Sequence, residues 1–60
     1  MKLKMKRYVR EFANDEMKDC TERRKLYIEK LLEHYERGYF TPFQTVELIV
    51  NSYYEYDIEL

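Results

Sequence analysis

Few residues in this chain are of a type that does chemistry, and they lie far apart. Cys20 is the only cysteine and His34 the only histidine. Catalysis needs a positioned nucleophile, base or metal, together with a group that orients it. The separation of Cys20 from His34 defines no such pairing. The charged runs ERRK (22–25) and YEYDIE (54–59) hold opposite charges at helical spacing or clustered acids. Neither sets a pair of carboxylates apart from ordinary solvated charge. The expectation is a chain with no catalytic residue, no metal ligand and no cofactor, in which His34 is a surface or boundary residue and Cys20 a small residue of a connector.

Charge offers a second kind of chemistry. The net charge is −1, yet residues 1–10 carry five cations, Lys2, Lys4, Lys6, Arg7 and Arg10, and no acid. Residues 41–60 carry Glu47, Glu55, Asp57 and Glu59 and no Lys or Arg. This asymmetry bears on steering and on partners rather than on fold. The five N-terminal cations are the candidate nucleic-acid contacts, since phosphates are met by Lys and Arg. The stretch HYERGYFTPFQTVELIV (34–50) also has the outline of a helix-turn-helix corner. Its second helix lacks the cations a recognition helix needs, and Glu47 and Glu55 repel the phosphate backbone. It reads as a packed corner.

Tyrosine is the third signal, with seven in sixty residues. Tyr8, Tyr27, Tyr35 and Tyr53 fall on apolar faces, where packing is expected. Tyr39 falls at a corner, Tyr54 at a stripe edge and Tyr56 in the tail. Tyrosine favours interfaces because its rigid ring and hydroxyl give contact area at low entropic cost. Leu26 lies opposite the apolar stripe of its helix, and Leu48 on the polar side of its own. Leu26, Tyr39, Leu48, Tyr54 and Tyr56 are therefore the candidate protein-binding residues, a set that marks a partner site if it shares one surface.

The elements that position these residues are helices. One Gly and one Pro leave little turn chemistry for sheets. Helix one is predicted over about 3–14, with Met5, Tyr8, Val9, Phe12 and Ala13 on one face. Prolonging it would set Glu16 in the middle of that face, so DEMKDC (15–20) reads as a connector. Helix two is predicted over 21–37, capped by Thr21 or by Asp19 with Glu22, with Tyr27, Ile28, Leu31, Leu32 and Tyr35 as its stripe. Gly38 suits the left-handed position that ends it. Helix three is predicted over 42–56. Thr41 is its N-cap, Pro42 its first residue and Gln44 the reciprocal cap, with Phe43, Val46, Ile49, Val50 and Tyr53 forming its apolar face. The acidic end EYDIEL predicts fraying after about Tyr56.

The fold class that follows is all-α, a three-helix mini-bundle forming a single domain over 1–60. Hydrophobic residues at 45% and charged residues at 38% suit a folded amphipathic domain. A lone cysteine argues against a disulfide-stapled secreted scaffold. No run is long and apolar enough to span a membrane, and acids occupy the place of a signal-peptide core, so a cytoplasmic chain is expected.

The segments MKRYVREFAND (5–15) and YERGYFT (35–41), the latter preceding a final apolar helix, resemble small uncharacterised helical proteins of phages and integrative elements in Gram-positive bacteria. That resemblance implies a setting in which such proteins bind a host or phage protein, and in which some inhibit defence nucleases in the manner of anti-CRISPR proteins. The first functional expectation is a non-catalytic module that binds and inhibits or regulates a larger protein. A nucleic-acid-binding regulator using the basic N-terminal segment is the alternative. A homo-oligomer, such as a homodimer that completes its core with a second copy, is the third.

Overall fold

A computed structural model describes residues 2–57, with side chains described over 6–56. The architecture is the all-α bundle expected: α1 (Lys2–Met17), α2 (Glu22–Glu36) and α3 (Pro42–Ser52), the last continuing into a π-helical turn over Tyr53–Asp57. All three helices pack on one another around Val9, Ala13, Ile28, Leu31, Tyr35 and Ile49, each under a tenth exposed. Fully burying a Val or Ile side chain contributes about 1.5–3 kcal/mol, so Val9, Ile28 and Ile49, at 0% exposure, anchor one helix each.

The corners follow from local chemistry. Thr21 caps α2, its hydroxyl accepting from the Arg24 amide at 3.2 Å, while Asp19 is exposed and takes no part. At the far end Gly38 adopts φ +89°, a backbone that penalises any Cβ. The Gly38 amide donates to the Tyr35 carbonyl and the Tyr39 amide to that of His34, both at 3.0 Å. This pair of bonds is the Schellman arrangement, which satisfies the last carbonyls of a helix. Thr41 and Gln44 then form the reciprocal box, each side chain accepting from the other's amide at 3.0 Å.

Three expectations need correction here. The first helix does not stop near Asn14 but runs to Met17, and Glu16 does lie toward the packed face. It is held there by Arg24, whose Nη2 donates to Glu16 Oε1 at 2.8 Å. The second correction is the rotation of α3. Its inward side carries Thr45, Ile49 and Ser52, whereas Phe43 is 76%, Val50 42% and Tyr53 45% exposed. Tyr8, also expected to pack, is exposed.

Arg24 supplies the physical reason for the first two. It is 2% exposed, and a buried guanidinium is stable only when its donors are answered. Its Nε donates to Ser52 Oγ and its Nη2 to the Ile49 carbonyl, each at 2.9 Å. Ser52 in turn donates to the Ile49 carbonyl at 2.6 Å. The Tyr53 amide meanwhile turns to the Val50 and Asn51 carbonyls, and there the α-helix gives way to the π turn. A side chain inserted into the helical ladder commonly marks such a change. Thr45, fully buried, donates its hydroxyl to the Thr41 carbonyl at 2.9 Å. Among the described residues no buried side-chain nitrogen or oxygen lacks a partner.

Candidate protein-binding surface

Turning the hydroxyl side of α3 inward leaves its apolar side on the surface. Phe43, Val46 and Val50 line an open groove together with Glu47 and Asn51. Val50, Tyr53 and Tyr54 continue it into a second open groove, lined also by Phe12 and Glu16 of α1. Tyr53 and Tyr54 meet edge to face at 5.4 Å between centroids. Tyr53 also lies under the Arg24 guanidinium at 5.6 Å, so the buried cation that fixes the helix rotation also holds one of the exposed rings. At 1.5 Å per residue, the ridge from Phe43 to Tyr54 is roughly 16 Å long.

The five residues singled out for protein binding do not form one patch. Tyr54, 62% exposed, belongs to this ridge. Leu26, 62% exposed, lines a different groove with Tyr27, Lys30 and Tyr56. Tyr56 is half-buried there, its ring 5.1 Å from that of Tyr27 and capped by Arg23 at 5.6 Å. Tyr39, also exposed, sits at the corner against the His34 ring, 5.6 Å away. Leu48, expected on the solvent side of helix three, packs instead against the buried core. Its position changes because α3 turns Thr45 and Ser52 inward, which carries Leu48 in beside Ile49. The ridge of exposed Phe43, Val50 and Tyr53 with half-buried Val46 escaped sequence reasoning, which assigned those residues to the apolar face. The hydroxyl pair Thr45 and Ser52, one heptad apart, was the available signal.

The basic segment is partly answered from within. Lys6, Arg7 and Arg10 are exposed. Arg7 pairs with Glu11 at 3.7 Å, and Arg10 pairs with Glu36 of α2. Lys2 and Lys4 have side chains outside those described.

The reactive residues are distant from this ridge in role. Cys20 is half-buried, its thiol directed to the Met17 carbonyl at 3.6 Å. His34 lies edge-on to Phe40 as well as Tyr39. The hydroxyl of Tyr27 holds its proton more tightly than an ordinary tyrosine, chiefly because burial disfavours the phenolate and further because Glu55 and Tyr56 lie near it. Among the described residues no three of His, Cys, Asp and Glu group as metal ligands, and no helix is long and apolar enough to cross a membrane. No family model, curated protein or solved structure matches the chain.

Proposed function

We propose that this chain is a non-catalytic protein-binding module that occupies a surface of a larger protein and thereby inhibits or regulates it. The observation that carries the reading is the ridge of α3: Phe43, Val50, Tyr53 and Tyr54 are exposed on one side of a helix whose opposite side is already packed. Single exposed apolar residues are ordinary, but a contiguous apolar ridge is characteristic of an interaction site. Two aromatic rings within it, one held by Arg24, are the kind of rigid anchors that dominate binding energy. The mode of action is stoichiometric. In this reading a domain of 7.6 kDa acts by covering what its target uses. The resemblance to mobile-element proteins makes a host or phage protein the target class, a defence nuclease among them.

The test is capture from bacterial lysate with the tagged full chain, after nuclease treatment and at low and high salt. A discrete protein retained by the native chain and lost by Tyr54→Ala, with helicity by circular dichroism unchanged, is the expected result. Recovery of nucleic acid alone, only at low salt and dependent on Arg7 and Arg10, would overturn the reading in favour of the basic segment.

A further inference from the structure

We infer that the outward ridge of α3 seats in an apolar groove of the partner whose rim carries lysine or arginine, rather than against a second copy of this chain. The inference rests on the protein-binding reading above and goes on to specify the chemistry of what is bound. Phe43, Val46, Val50 and Tyr53 follow one another at the three- and four-residue steps of a single helical stripe, the pattern by which an amphipathic helix fills a groove. Glu47 stands within that stripe, lining the same groove as Phe43, Val46 and Val50. Among the described residues it has no ion pair. Docking the stripe removes its carboxylate from water, and a buried carboxylate needs a cation or several donors.

Among the described residues no cation stands in the grooves of the ridge. Neither groove of the ridge is lined by Lys or Arg, and residues 41–60 contain none. The exposed cations of α1 lie on another element, and Arg7 and Arg10 already face Glu11 and Glu36. A two-fold dimer through this ridge would set the same patch against itself. Glu47 of each copy would enter an interface whose one described neighbouring cation, Arg24, is already held by Glu16, and like charges across an interface are strongly disfavoured. In this proposal the answering cation belongs to a different protein, beside the pocket that receives Val50.

The experiment places the photoreactive residue benzoylphenylalanine at position 50 of the full chain, and separately at the control positions Lys6 and Lys30. Each is irradiated in nuclease-treated bacterial lysate, and adducts are mapped by mass spectrometry. A parallel sample receives a carbodiimide, which joins a carboxylate to a lysine amine with loss of water. The expected result is an adduct from position 50 to apolar residues of one larger protein, with Glu47 amide-linked to a lysine of that protein. Glu47→Lys should weaken capture of it at least about tenfold, and Glu47→Gln by less, with circular dichroism unchanged in both. Cross-linking of position 50 to a second copy overturns the inference, as does a contact surface free of Lys and Arg. Protein adducts from Lys6 or Lys30 but not from position 50 overturn this face while leaving the protein-binding reading standing. Protein adducts from no position overturn both.

Discussion

Arg24 joins three helices through one side chain, so its removal reaches further than its size suggests. Arg24→Ala leaves the Glu16 carboxylate and Ser52 without their guanidinium partner. Breaking a buried ion pair by deleting one member costs about 3–5 kcal/mol. The Glu16 side chain is 36% exposed, so water recovers part of that charge and a loss near the lower figure is expected. Against a total stability of about 5–15 kcal/mol for a native protein, that is a large share. Urea denaturation of Arg24→Ala, and of Arg24→Met combined with Glu16→Met, measures it. The double replacement should recover much of the loss, because no charge is then left unpaired. Tyr27 provides a second residue-scale test. Its pKa is raised in the folded chain, so its contribution to stability is complete below the ordinary tyrosine value near 10 and is lost as pH rises through the raised value. Tyr27→Phe should flatten the alkaline decline in stability, and the phenolate absorbance it removes should be the component that titrates late.

Helix ends and helix faces differ in how far away their causes lie. The box of Thr41, Pro42 and Gln44 and the left-handed Gly38 were legible in the sequence because every group involved stands within a few residues of its partner. Thr41→Ala should accordingly cost about 1 kcal/mol in urea denaturation. The rotation of α3 was not legible. Its sequence offers two competing stripes at the same period, the apolar one of Phe43, Val46 and Val50 and the mixed one of Thr45, Ile49 and Ser52. The choice between them is made by Arg24, 25 to 28 residues earlier in the chain. Glu16 was misjudged for the same reason: a carboxylate on a packed face ends a helix only if no cation meets it there. The assignment of faces has a direct test. Ile49→Ala should cost about 2–5 kcal/mol, and Val50→Ser should change stability by less than about 0.5 kcal/mol. If the two variants exchanged these values, the face called exposed would be the core.

At the scale of the whole molecule, size and charge decide what company the chain keeps. A domain of 60 residues buries only about 60% of the surface its unfolded chain exposes, and many such chains gain stability by pairing. This one closes its core from within: Val9, Ile28 and Ile49 come from three different helices and each is fully buried. Among the described residues the α3 ridge is one of the apolar surfaces left over, beside Leu26, Tyr39 and Tyr8, and a two-fold pairing through it would bring Glu47 of each copy together. The unfolding midpoint should therefore be independent of protein concentration over about a hundredfold range, since only self-association makes it climb with concentration. Differential scanning fluorimetry checks this directly. A rising midpoint abolished by Val50→Lys would show that the ridge pairs with itself, and Glu47 would then have to be answered across the dimer. A constant midpoint, with Val50→Lys folding as stably as the native chain, leaves the ridge exposed in the free protein. The apolar area it presents is then free to bind a larger protein, with no prior cost of separating two copies of the chain.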